Sequence, residues 1–410
     1  MRSFKIKISL IPIAIVSFLV FMLCFQNAYI GSMMPRIYTV QAYGKLLALI
    51  ICWAGLLLKR VNVLRSRAYI CVCLIVLISM LSTVLNHGDV VACMNIFVPM
   101  VLILSVLELN KGKDEKLLTV LNTWKWLFLL MTIIDIVTEV LFPKGLYSSA
   151  LYTTNWFLGY KTERFIYIFP MIVIFGYLDL RKSETLKLDF YVAYILALVS
   201  CYLSGATTCW VAMIFLMGAY LLLRMLLGSK ASLKRQRMLY RLADYRVGII
   251  LYIVILVGVF MAENISFMVD LTAMLGKDIT FSRRNLIWSV IIFEVMRHPV
   301  LGVGYLSSSQ YTSLVAYVGG TNAHNMVLTI LMYGGFVALA VYIVLFISCV
   351  RRSNKEYSIR DLFLISSVYS FLITGVTSSI MVYSTFGFLL YWLLEYEKRG
   401  DRIYEQRIVS

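Results

Sequence analysis

The chain is 410 residues long, 61% hydrophobic and only 14% charged, with a formal net charge of +17 at pH 7. A soluble domain carries about a quarter charged residues, so this composition, with a mean hydropathy of +0.85, excludes a soluble enzyme and reads as a polytopic integral membrane protein. The basic excess is the bias of membrane loops and of contacts with membrane lipids, and implies no nucleic acid.

A helix needs about 20 apolar residues to cross a bilayer. The first run, Ile8–Phe25, follows a basic start, is long enough to span and precedes no small-residue cleavage site, so it is expected as a span and not as a cleaved signal. Thr39–Leu58, Ala68–Leu85, Val90–Leu107, Trp124–Phe142, Phe165–Leu180, Phe190–Leu203, Thr208–Leu227, Val247–Met261, Ala323–Val350, Leu362–Val376 and Ser379–Leu394 follow. The expectation is an all-α polytopic transmembrane bundle of about 12 spans, forming one membrane domain over 1–410.

Most of the 38 lysines and arginines then fall on one side, if both termini are cytoplasmic in a plasma (inner) membrane. The longest cytoplasmic interval, Arg224–Arg246, reads as a basic connector over anionic lipid. Two outer intervals are long, Pro143–Arg164 and Glu263–Asn322. The first is rich in Tyr, Trp, Ser and Thr, which suits either a headgroup belt or a surface for stacking sugar rings; Lys161 and Arg164 close it. Asp135, Glu139 and Glu108 lie within or near spans and suit either polar packing or proton relay.

The second outer interval holds the densest chemistry. Arg283 and Arg284 depart from the inside bias, and arginine forks match phosphate oxygens, so they suit a pyrophosphate clamp as well as ordinary loop charge. Apolar residues at 287, 288, 291, 292 and 295 have helical spacing. They predict a short surface helix anchored by Trp288, with the arginines at its anion-binding start. His298 caps that helix and Pro299 ends it; Gly302 and Gly304 turn the chain. His324 is placed in the first turn of a long apolar helix capped by Thr321 and Asn322. A neutral imidazole there suits a general base. His87, in Asn86-His87-Gly88-Asp89, reads as structural. The eight cysteines show no metal spacing and read as small buried hydrophobes.

The pattern Arg284-x3-Trp288, His298-Pro299-x2-Gly302-x-Gly304 and His324-Asn325-x2-Leu328, followed by Gly334-Gly335, resembles the O-antigen ligase/polymerase superfamily, which includes Wzy-type polymerases. The resemblance covers roughly residues 200–350. It implies polymerisation of polyprenyl-pyrophosphate-linked oligosaccharide repeats into O-antigen, capsule or exopolysaccharide by glycosyl transfer at the outer leaflet. The 263–322 loop would carry the site, and no metal or cofactor would be needed. His324 would be the base, with Arg284 and Arg283 stabilising the leaving pyrophosphate. Arg164, Lys161, Trp288, Asn325 and Thr207 would contact substrate. A chain-length regulator and a flippase would be partners. Many members carry a Ser-Arg pair where this chain reads Ser204-Gly205-Ala206-Thr207; Thr207 stands in the arginine's place, which favours polymerase over ligase. A lipid-linked oligosaccharide transporter is the rival class, since about 12 spans with both ends inside also suits a flippase.

Overall fold

Inside a bilayer the backbone has no partner but itself, so long apolar runs become helices. The computed structural model describes residues 8–25, 28–149, 154–227, 233–261, 284–314, 323–351, 357–378 and 387–398. In chain order the helices are α1 (Ile11–Cys24), α2 (Ala28–Met33), α3 (Pro35–Leu58), α4 (Arg67–Leu85), α5 (Val90–Asn110), α6 (Asp114–Leu141), α7 (Phe165–Ser183), α8 (Leu188–Leu203), α9 (Thr207–Leu226), α10 (Leu233–Leu242), α11 (Tyr245–Met261), α12 (Arg284–Arg297), α13 (Ser308–Leu314), α14 (Met326–Val350), α15 (Ile359–Val376) and α16 (387–398). Extended pairing among the described residues is limited to isolated bridges, Tyr147 with Asn155 and Trp156 with Gly159.

Seven described helices are long and apolar enough to cross a membrane, or eight if α10 and α11, bent by 58°, form one broken span. Each expected span that lies among the described residues is helical, but α8 and the Ile8–Cys24 segment are shorter, at 10–17 residues. In α7 the last turn carries Asp179, Arg181 and Lys182, which shortens its apolar stretch. The expected last span lies partly outside the described residues.

The chain divides into two units, Met1–Arg65 with Val98–Met213 and Ser66–Phe97 with Ile214–Ser410. In the first, α6 packs against α1, α7 and α8. Phe21 and Phe25 meet Phe128 edge-on, each with ring centres 4.7 Å apart, and the Trp124 indole donates to the Ser17 carbonyl at 3.0 Å.

In the second unit α4 packs along α14, α12 covers α14, and α11 lies on α15. One end of this unit is closed by charges that complement helix dipoles. The Glu395 carboxylate accepts from the Arg67 and Ala68 amides at 2.9 and 2.8 Å, capping α4. The Lys398 ammonium donates to the Ser348 and Arg351 carbonyls where α14 ends. Arg360 pairs with Glu397 at 2.8 Å, and Ser358 and Asp361 form a capping box at the start of α15.

Candidate active site

The surface helix expected from apolar spacing is α12, starting at Arg284. Arg283 lies outside the described residues. The helix closes where the His298 amide donates to the Glu294 and Val295 carbonyls, both at 3.1 Å, and Pro299 cannot continue it. Ile287, Ile291 and Val295 form its buried stripe, against Val303, Tyr311, Ala323, Leu331 and Met332. Trp288 belongs to that stripe too. It is fully buried, and its indole donates to the Ala323 carbonyl at 2.8 Å. The expectation of a membrane-anchoring, substrate-facing Trp288 is therefore corrected. An indole enclosed in apolar packing needs an acceptor, and it finds one on the residue before His324.

The segment after α12 enters a break in α14. Gly335 adopts φ 62° and ψ −162°, a conformation essentially restricted to glycine. In an unbroken helix the Phe336 amide would bond the Met332 carbonyl. Here that carbonyl accepts from the Val303 and Gly304 amides, at 2.7 and 3.0 Å, while Phe336 donates to the Pro299 carbonyl at 2.8 Å. The loop thus replaces one turn of helix, and the backbone groups stay paired. Its approach needs glycine. A Cβ on Gly302 would lie 2.3 Å from the Met332 carbonyl oxygen, and one on Gly335 would lie 2.2 Å from that of Val300.

The C-terminal end of α4 holds the same loop. Ser82 and Asn86 donate to the Gly302 carbonyl at 3.3 and 3.2 Å. The Thr83 hydroxyl accepts from the Tyr305 amide at 2.9 Å, and the Asp89 amide donates to the Tyr305 carbonyl at 2.9 Å. His87 has a left-handed φ of 52° and its carbonyl accepts from Gln310 at 3.3 Å, in keeping with a structural role.

The cap of α14 is Asn325, not Thr321 or Asn322, which lie outside the described residues. The Asn325 carboxamide oxygen accepts from the Leu328 amide at 3.0 Å and the Tyr252 hydroxyl at 3.2 Å, and its nitrogen donates to the Val376 carbonyl at 3.0 Å. It is 1% exposed. The expected substrate contact from Asn325 therefore gives way to a cap that ties α14 to α11 and α15. His324 accordingly sits just before the cap and not in the first turn. It is half-buried with φ 46°, uncommon for any residue but glycine. Trp288 fixes the residue before it and Asn325 the residue after it.

The other expected contacts lie in the first unit. Arg164 is fully buried. Its guanidinium meets Asp135 at 2.8 Å and Glu139 at 2.6 Å, with its carbon 4.8 Å from the centre of the Trp156 ring. A second Asp135 oxygen accepts from the Leu158 amide at 2.8 Å. Arg164 is thus enclosed and matched by two carboxylates one turn apart on α6, and the choice left open for Asp135 and Glu139 falls on ion pairing. In the loop itself, burial pushes the Glu163 carboxyl up and the Tyr147 phenol up to about 12. Lys161 is half-buried, its ammonium 5.5 Å from the Tyr160 ring centre. Thr207 is the half-buried first residue of α9, after a turn in which Gly205 has φ 66°. No group of three His, Cys, Asp or Glu placed to hold a metal occurs among the described residues.

Residues 192–343 match the family model Wzy_C, O-Antigen ligase. That stretch, less than half of the chain, is similar to this family. No curated protein and no solved structure matches. The matched stretch holds Thr207, Arg283, Arg284, Trp288, His324, Asn325 and the glycines of the helix break, whereas Lys161 and Arg164 precede it. The several long apolar helices make the chain a multi-pass membrane protein.

Sequence reasoning missed Ser82, Thr83, Asn86 and Tyr252, which hold the loop and the cap. The Asn86-His87-Gly88-Asp89 turn was the available signal, because its glycine accommodates the Tyr305 carbonyl: a Cβ at Gly88 would lie 2.3 Å from that oxygen.

Proposed function

We propose that this protein polymerises polyprenyl-pyrophosphate-linked oligosaccharide repeats at the outer leaflet, with His324 as general base. The observation that carries the reading is the strained His324 backbone, held between the Trp288–Ala323 bond and the Asn325 cap. Backbone strain is kept where the surroundings fix it, and it clusters at functional sites. In the proposed step His324 takes the proton of an acceptor sugar hydroxyl. That oxygen forms the new bond to the anomeric carbon as the bond to the lipid pyrophosphate breaks, and the electron pair leaves on phosphate. A single displacement inverts the anomeric centre. Arg283 and Arg284 stabilise the departing charge. Lys161 and Thr207 assist binding, with Thr207 in the position of the family's arginine favouring a polymerase.

Both termini are assigned to the cytoplasm of the plasma membrane. The gathering of Arg67, Arg351, Arg360 and Lys398 at one end of the second unit supports that orientation. A chain-length regulator and a flippase are the expected partners.

The test is the glycan ladder of cells lacking the protein, complemented with wild type, His324→Ala or Arg284→Ala at matched membrane levels. Loss of a general base typically costs about 10²–10⁴-fold, and loss of one charge-stabilising donor about 10²–10³-fold, so both variants should leave a single lipid-linked repeat. Full-length polymer from either variant would overturn its assigned role. The family description, O-Antigen ligase, favours a second reading, in which polymer of normal length stays unattached to its acceptor. Repeats trapped on the cytoplasmic leaflet would instead indicate transport.

A further inference from the structure

Helix α10 carries a charge that its own sequence leaves unbalanced. Its ten residues, LKRQRMLYRL, include Lys234, Arg235, Arg237 and Arg241, and no acid. All four cations are exposed, together with Leu233 and Met238. Exposed helices in water usually offset such charge with acids three or four residues away. The next acid along the chain, Asp244, is already turned to the Arg246 amide at 2.9 Å.

The helix is also held at a fixed attitude. It bends by 58° from the apolar α11 after two residues. The Tyr369 hydroxyl on α15 donates to the Leu242 and Asp244 carbonyls across that bend, at 3.0 and 2.8 Å. Leu239 is buried against the protein, and the Tyr240 ring lies 6.0 Å from that of Tyr357. One side of α10 is therefore docked, while its cations and two apolar residues face outward. A docked basic helix bent away from an apolar span, with exposed Leu and Met between the cations, matches the chemistry of a membrane interface.

We infer that α10 is a docking surface for the headgroup phosphates of anionic phospholipids in the bilayer that holds the protein. Each Lys or Arg near an anionic surface strengthens such contact by roughly fivefold, so removing four should weaken it at least tenfold even with partial screening.

The test uses full-length protein in nanodiscs of phosphatidylcholine alone, or with roughly one third phosphatidylglycerol, and follows amide hydrogen exchange of residues 233–242. Exchange in wild type should slow about tenfold with phosphatidylglycerol and recover at high salt. The variant K234Q/R235Q/R237Q/R241Q should lose the response while melting normally in phosphatidylcholine. L233S/M238S, which keeps the charges, should retain part of it. Equal exchange of wild type in both lipids, or an undiminished response in the charge variant, would overturn the inference. So would protection by soluble poly-glutamate in phosphatidylcholine discs equal to that by anionic lipid, since the surface would then fit an acidic protein.

Discussion

The two long loops hold themselves in opposite ways. The 154–164 segment of the first unit is secured by side-chain charge: Arg164 is buried between Asp135 and Glu139, and Asp135 also accepts from the loop amide of Leu158. The 298–305 segment of the second unit is secured by backbone, through glycines that let its amides replace a turn of α14. The first uses its strongest cation for structure. The second uses residues with no side chain for structure, and the chain that follows it sets His324 directly before the Asn325 cap. A charged residue beside a span is thus not by itself a substrate contact, and a weak Gly-x-Gly can be the main architectural element.

The contrast is broken most forcefully at Arg164. Arg164→Ala leaves two buried carboxylates without their cation and should destabilise the first unit by about 3–5 kcal/mol. Adding Asp135→Asn and Glu139→Gln should recover most of that loss, read as melting temperature of the purified protein in detergent. A role limited to binding substrate phosphate would leave melting unchanged in the single variant. Polymer formation should then track the amount of folded protein.

The backbone-held segment is tested next. Gly302→Ala places a Cβ 2.3 Å from the Met332 carbonyl oxygen at φ 70°. Overlap and left-handed strain together should cost about 2–4 kcal/mol. Hydrogen exchange should rise in residues 299–305 and at Phe336 and Val337, whose amides the loop carbonyls accept. Unchanged exchange at those two amides would mean that the loop is not what satisfies the broken helix.

What could be read from sequence follows the same division. Apolar length and spacing located the helices, including α12, because in lipid an apolar run has one backbone solution. The helix start at Asn325 was misplaced by a few residues, because Thr321, Asn322 and Asn325 are all competent caps and only the Tyr252 and Val376 partners select one. Trp288 was misread because spacing identifies an apolar stripe without saying whether lipid or protein covers it. Arg164 was read as a substrate contact because its partners, Asp135 and Glu139, stand more than twenty residues earlier on α6. The helix break gave only the Gly334-Gly335 pair as a local mark, and nothing in the pair says that the 299–305 segment completes it.

Asn325 gives the smallest and most discriminating effect. Its carboxamide satisfies the Leu328 amide, the Tyr252 hydroxyl and the Val376 carbonyl. Asn325→Ala should therefore destabilise the protein by about 1–2 kcal/mol through the lost cap and the orphaned carbonyl. Because the cap also fixes the backbone beside His324, transfer rate should fall as well, by less than in His324→Ala. Asn325→Asp keeps the acceptor for Leu328 but cannot donate to Val376. If Asn325 acts through the cap, rate should recover partly in Asp along with melting temperature. If it instead binds a sugar hydroxyl, Ala should raise KM for the acceptor at unchanged melting temperature. That split decides whether Asn325 acts through the backbone it caps or through a contact of its own with the acceptor.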